Sequence, residues 1–202
     1  MEFLMTAEQS NFTDPALVSE KTASLDVVSI NKTEIFSKEQ CETILASCVD
    51  ELWLPSTVIG STDFHQSKRQ KLRGNIQGFP FLDIREATKQ ANIEIYDFNL
   101  MGIIDQDFPQ VFKYSENNFY KMHLELNPSA PSRKLSFIIN LSDPSTYTGG
   151  ELEFLNVDTT DGVLQEQGAC FTFPSYLPYK INPVTTGTRH IIVGHVHGAV
   201  FK

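Results

Sequence analysis

The strongest constraint on this chain lies in its C-terminal half, where short apolar runs are cut at close intervals by Gly and Pro. From Phe119 onward it reads LSFIINLS, the turn DPSTYTGG, then ELEFLNV, ACFTFPS, KINPV and RHIIVGHV. None of these runs has the length of an ordinary helix. ELEFLNV alternates with period two, the pattern of a half-buried strand. A chain punctuated this way must place its apolar residues on many short strands.

Two helical patterns precede that region. Ser37 opens a capping box, S-K-E-Q, with Gln40 three residues on. Cys41, Ile44, Leu45 and Cys48 then fall on one helical face, and Leu52 continues the stripe. FLDIREATKQANIEI reads as a second amphipathic helix. Val27–Ile30 is expected to be a strand, as are Asp97–Gly102 and Asp107–Tyr114. The polar, turn-rich stretch Leu54–Gly78 is expected to be a loop region near an opening. Two helices leading into about eight short strands predict a mainly β protein, helices packed on an antiparallel double sheet.

A length of 202 residues suits one domain, with residues 1–28, polar and aperiodic, as an extended N-terminal arm and residues 29–202 as the domain. The hydrophobic share of 41% supplies a sizeable core, and 15 Phe make it rich in aromatics. A net charge of −9 argues against nucleic acid or an anionic membrane as partner. The basic run HQSKRQKLRG, residues 65–74, reads as a solvated loop. Cys41, Cys48 and Cys170 show no C-x-x-C spacing and read as free thiols of a reducing compartment. The N-terminus lacks a basic start and an apolar run, and no stretch approaches the ~20 apolar residues of a membrane helix, so a cytoplasmic protein is expected. A polar arm of this kind suits contact with a protein partner in an assembly.

Three segments carry chemistry: FYKMHLE, RKLSFIINLSDPSTYTGGELEF and FPSYLPYKINPVTTGTRHIIVGHVHG. His123 and Glu125 are two apart, so on a strand they share a face and can grip one cation. With a further ligand and an inward Arg, such a pair forms the facial arrangement of non-haem Fe(II) oxygenases.

These segments resemble the prolyl 4-hydroxylase-like branch of the Fe(II)/2-oxoglutarate dioxygenases, including its small microbial and phage members, over about residues 30–202. The family's Y-x-W-H-x-D motif is matched by Tyr120, Met122, His123 and Glu125. Its central LSDPxxYxGGEL is matched at 141–152 through Asp143, Pro144, Tyr147, Gly149, Gly150 and Glu151. Its FPSxxxHxxxPVTxGxR is matched by Phe173, Pro174, Ser175, Pro183, Val184, Thr185, Gly187 and Arg189. The resemblance implies a double-stranded β-helix (jelly roll) flanked by two helices, with Fe(II) on His123 and Glu125. It also implies 2-oxoglutarate on Arg189, whose fork meets a carboxylate through two hydrogen bonds, with Tyr120 in the cofactor site.

Three positions depart from the pattern. Glu125 stands for Asp, Met122 and His195 stand where the family has Trp, and Tyr179 stands for the distal His. An imidazole offers a lone pair at pH 7, whereas a phenol with a pKa of ~10 is protonated and a poor ferrous ligand. No other histidine is expected to replace it. His190 should face away. His195 shares the parity of Arg189 but lies six residues on, roughly 20 Å along an extended strand. His65 belongs to the basic loop. The reading that follows is a dioxygenase fold with an incomplete triad, weakened or non-catalytic. It would serve as a binding or assembly module, and the resemblance includes phage components. The alternative is an active hydroxylase of a protein or small-molecule C–H bond.

Overall fold

The computed structural model describes residues 29–56, 62–157 and 163–201, so the arm expected at 1–28 and the start of the strand expected at Val27 lie outside it. The first strand, β1 (Asn31–Glu34), begins one residue after the expected stretch. Helix α1 (Lys38–Ala46) starts as its sequence dictates. Ser37 Oγ accepts from the Gln40 N–H at 3.3 Å, and Gln40 Oε1 accepts from the Ser37 N–H at 2.8 Å. The reciprocal pair satisfies donors that a helix start otherwise leaves open. The helix stops before the apolar stripe does, and Leu52, in the single 3-10 turn Asp50–Leu52, is exposed.

Two short strands follow, β2 (Leu54–Ser56) and β3 (His65–Lys71), where a loop was expected. Lys, Arg and Gln give β3 little strand propensity of its own. It is a strand because neighbours on both flanks supply its hydrogen bonds. Helix α2 (Phe81–Ala91) buries Phe81, Ile84, Ala87 and Ala91 and runs into a π-turn, Asn92–Tyr96. That turn aims Tyr96 back at the sheet, where its hydroxyl donates to the Thr172 carbonyl at 2.6 Å.

The remaining strands are β4 (Leu100–Gly102), β5 (Gln110–Ser115), β6 (Phe119–His123), β7 (Arg133–Asn140), β8 (Tyr147–Gly149), β9 (Leu152–Phe154), β10 (Ala169–Pro174), β11 (Tyr179–Ile181) and β12 (Val184–Gly198). The described residues thus hold twelve strands rather than about eight, because several strands are only three residues long. All pairings are antiparallel, in the order β1-β10-β7-β12-β5-β3-β6-β11-β9, with β2 on β3 and β4 and β8 on β12. The sheet curls on itself into the jelly roll that the residue pattern implied.

The curl creates two cores. Along β7, Leu135, Phe137 and Ile139 face the helices with Phe81, Ile84 and Phe98, while Ile138 faces inward with Tyr114, Phe173, Tyr179 and Ile191. Burial on both faces explains why LSFIINLS is continuously apolar instead of alternating. Gly187 fits the β8–β12 approach because a Cβ there would meet the Thr146 carbonyl oxygen at 2.3 Å, and its φ is +75°. The three cysteines are free, and burial pushes the Cys41 thiol up to about 11. No helix among the described residues is long and apolar enough to cross a membrane.

Candidate anion pocket and metal seat

Arg189 sits near the middle of β12, paired across to Tyr114 on β5, and is fully buried. Its Nε donates to Asn140 Oδ1 at 3.1 Å and its Nη1 donates to the Gly150 carbonyl. Gly150, at φ +71°, leaves the room this requires, since a Cβ there would meet Arg189 Cδ at 3.3 Å and Val184 Cγ2 at 3.0 Å. Two buried atoms in this region have no hydrogen-bond partner: Arg189 Nη2 and the Tyr147 hydroxyl. Burial outweighs the favourable influence of Tyr147 and Tyr114 and draws the guanidinium below its usual pKa, yet an arginine stays protonated. Among the described residues Arg189 forms no ion pair. A buried cation without a counter-ion costs several kcal/mol, and a carboxylate would satisfy both orphaned donors at once. The residues fit a carboxylate such as one of those of 2-oxoglutarate, which Arg189 and Tyr147 would hold.

The would-be metal seat is formed by β6, β11 and the chain just past β6. Strand β6 ends at His123, so His123 and Glu125 are not two residues of one strand face as expected. Glu125 lies beyond the strand, where its N–H donates to the Ser175 carbonyl at 3.0 Å. His123 Nδ1 lies 2.8 Å from the Lys121 carbonyl, which only accepts, so Nδ1 carries a proton and Nε2 faces Glu125 Oε1 at 3.3 Å. Both neighbours are acceptors, so Nε2 is the ring atom that would have to give up a proton to face a metal.

The third corner does not fit iron. Tyr179, fully buried and paired with His123 across β11 and β6, donates its hydroxyl proton to Glu125 Oε1 at 2.8 Å. Burial, reinforced by the Glu125 charge, holds the phenol well above its usual pKa, so it stays a donor and offers no anionic oxygen. The other carboxylate oxygen, Oε2, accepts from Arg133 Nη1 at 2.8 Å. Among the described residues no group of three or more His, Cys, Asp or Glu side chains is arranged to hold a metal. Two donors fit Fe(II) and the full facial set does not.

His195 does not lie out of reach of this site, contrary to the expectation from strand length. Its Nε2 is 3.3 Å from Glu125 Oε2 and its Nδ1 is 3.2 Å from Asp107 Oδ2. Neither contact has hydrogen-bond geometry, so the attraction is mainly Coulombic. The 20 Å was measured from Arg189, whereas Glu125 leaves β6 and crosses toward the β7 end where His195 sits opposite Ser136. His195, Asp107, Arg133 and His197 form a cluster the sequence did not reveal. Arg133 grips Asp107 with Nε at 2.6 Å and Nη2 at 2.9 Å, and His197 Nε2 lies 3.0 Å from Asp107 Oδ2.

Electrostatics follow from these contacts. Burial pushes Glu125 up, but His195 and His123 outweigh it and hold its carboxyl well below the usual range. Burial is likewise outweighed at Asp107 by His195, His197 and Arg133, and its carboxyl is held low. Burial lowers His195, but the Glu125 charge and Asp107 raise it overall.

The remaining wall is aromatic. Tyr120 lies between two imidazoles, its ring 3.5 Å from that of His123 and 3.8 Å from that of His65, at interplanar angles of 15° and 3°. His65 is therefore a buried strand residue, not part of a solvated loop. Its Nε2 contacts Ser67 Oγ at 2.9 Å and the Tyr114 hydroxyl at 3.2 Å. His190 faces away, as expected, and packs on Trp53.

Comparison with known proteins agrees with this architecture. Residues 109–197 match the 2OG-Fe(II) oxygenase superfamily. A PKHD-type hydroxylase of Prochlorococcus marinus is 36% identical over 89 residues, 44% of this chain and 40% of that protein. One from Hyphomonas neptunium is 33% identical over 98 residues, 46% of this chain and 43% of that protein. The chain thus spans about two-fifths of the length of these relatives. Among solved structures, a Pseudomonas putida prolyl-4-hydroxylase superposes with a TM-score of 0.61 at 18% identity, covering 83% of this chain and 92% of its own. A Trichoplax adhaerens prolyl hydroxylase gives 0.65 at 13% identity, covering 84% and 83%. Residues 109–197 are thus similar to the 2OG-Fe(II) oxygenase superfamily, and the fold is similar to that of prolyl 4-hydroxylases.

Proposed function

We propose that this protein binds 2-oxoglutarate or a close dicarboxylate through Arg189, in an oxygenase fold whose iron-dependent turnover is weakened or lost. One observation carries the reading: a fully buried guanidinium has an unpartnered Nη2, and the unpartnered Tyr147 hydroxyl lies in the same region. The loss of turnover rests on Tyr179, whose proton is committed to the carboxylate that would have to receive the metal. Such a protein keeps the ligand pocket and can act as a binding or assembly module.

A thermal-shift titration with 2-oxoglutarate in EDTA tests the binding. Stabilisation that vanishes in Arg189→Met supports it, and a shift that survives the substitution removes Arg189 as the anchor. The alternative, a working hydroxylase, is favoured by the placement of His123 Nε2 and Glu125 Oε1 side by side, 3.3 Å apart. An anaerobic titration with Fe(II) and 2-oxoglutarate separates the two. A stoichiometric visible charge-transfer band would overturn the impaired reading.

A further inference from the structure

We propose that Asn140 is a positioning residue of the anion pocket: it turns Arg189 so that a carboxylate is taken by Nη2 and the Tyr147 hydroxyl together, not by the guanidinium fork. Asn140 is the last residue of β7 and is fully buried. Its role rests on the ligand proposed for Arg189 and deepens that reading by naming what fixes the donor set.

A guanidinium meets a carboxylate with two parallel N–H groups, either Nε with Nη2 or Nη1 with Nη2. In this pocket Nε, which has a single proton, donates to Asn140 Oδ1 at 3.1 Å. The first edge is therefore closed. Nη1 donates to the Gly150 carbonyl, which draws on the second edge, and Nη2 is the nitrogen left without a partner. The fork expected from the sequence is thus not on offer, and a second donor must come from another side chain. Tyr147 supplies it. A Cβ on Gly150 would meet Arg189 Cδ at 3.3 Å and Tyr147 Cε2 at 4.0 Å, so the two side chains flank the same glycine. Burial pushes the Tyr147 phenol up, with Arg189 and Asn140 near enough to oppose it, and the hydroxyl keeps its proton to donate.

Asn140 holds this orientation because its own amide cannot turn. Its Nδ2 donates to the Ser142 carbonyl at 3.0 Å and to the Gln165 carbonyl at 2.6 Å, which spends both N–H groups and leaves Oδ1 facing the arginine. The 3-10 turn Val163–Gln165 backs the arrangement a second time. Gln165 Nε2 donates to the Gly149 carbonyl at 3.3 Å, next to the Gly150 carbonyl that engages Nη1. A buried amide after the apolar run Phe137–Ile139 costs free energy unless its polar atoms are paired, and here Nδ2 and Oδ1 both are. Asn140 is also neutral. It steers the guanidinium without cancelling the charge that draws an anion, whereas an Asp at this place would do both.

The test measures 2-oxoglutarate binding to the full chain by calorimetry in metal-free buffer. Tyr147→Phe should weaken it at least about tenfold, because a hydrogen bond to a charged group is lost, whereas a fork would hold the change within about 3-fold. Asn140→Ala frees Nε to join Nη2. In that background Tyr147→Phe should cost about 3-fold or less, a coupling that a merely structural Asn140 does not produce. Asn140→Asp has the same size and keeps an acceptor for Nε, but it gives Arg189 an internal counter-ion and should cut affinity at least about 30-fold. It carries the test should Asn140→Ala unfold. A Tyr147→Phe penalty below about 3-fold in the wild-type background, an equal penalty in both backgrounds, or unchanged binding by Asn140→Asp each overturns the inference. Wild type that binds no 2-oxoglutarate, or Arg189→Met that binds it normally, is a different failure and overturns the ligand reading itself.

Discussion

The hydroxyl of Tyr179 lies 2.8 Å from Oε1 of Glu125 and donates its proton there, at the oxygen that also faces His123 Nε2. A phenol so placed competes with a metal ion for the same lone pairs. Burial and the carboxylate charge both keep its proton on.

Replacing that phenol by an imidazole should therefore open the seat. Tyr179→His should raise Mn(II) or Fe(II) affinity at least about tenfold over wild type, measured anaerobically by calorimetry or EPR, because it adds a neutral lone pair. Tyr179→Phe, which removes the competing proton but adds no ligand, should gain far less. Equal affinities for Tyr179→His and wild type would mean that Arg133, not Tyr179, closes the seat.

Arg133 spans Asp107 and Glu125, and its side chain is 16% exposed beside carboxylates 22% and 12% exposed. Arg133→Met leaves two part-buried acids without their shared cation, though histidines remain beside both, and should cost roughly 1–3 kcal/mol in urea unfolding at pH 7. A loss below about 1 kcal/mol would show that the cluster is effectively solvated.

Arg189→Met should act in two opposed directions. Removing a buried charge that lacks a counter-ion should leave the ligand-free protein at least as stable as wild type, while the stabilisation by 2-oxoglutarate disappears. Calorimetric melting with and without ligand reads both effects. A large drop in the ligand-free melting temperature would mean that the guanidinium is compensated internally.

His190 supplies a pH signature remote from the pocket. Burial, with Lys113 nearby, lowers its pKa from 6.5 to about 4. The folded state resists protonation, so this contribution to stability is complete above about pH 6.5 and is lost as pH falls toward 4, up to about 3 kcal/mol. Denaturant melts at pH 7 and pH 4.5 should show a smaller loss in His190→Phe than in wild type, and equal losses would rule out His190 as a source.

The motifs made the fold legible early. Gly149, Gly150 and Gly187 mark turns where backbone and side chains approach too closely for a Cβ, and such requirements survive in local sequence. The capping box at Ser37 and the apolar run of β7 are local in the same sense. Charge hid β3, since its seven residues become a strand only through hydrogen bonds from distant neighbours. Arg189, His123, Glu125 and Tyr179 stood out because each occupies a numbered place in a motif. Tyr147 was present in a motif too, but its unpartnered hydroxyl is visible only in space.

The sequence by itself determined the jelly-roll scaffold, the inward arginine and the exchange of an imidazole for a phenol, because turn chemistry and residue type act over a few neighbouring positions. Tertiary structure alone decided that Glu125 is clasped by Arg133, Tyr179 and His195, and that His65 joins the wall beside Tyr114. Those contacts join residues 8 to about 70 positions apart through strand register and the curl of the sheet, and no local pattern encodes where a curled sheet brings two strands together.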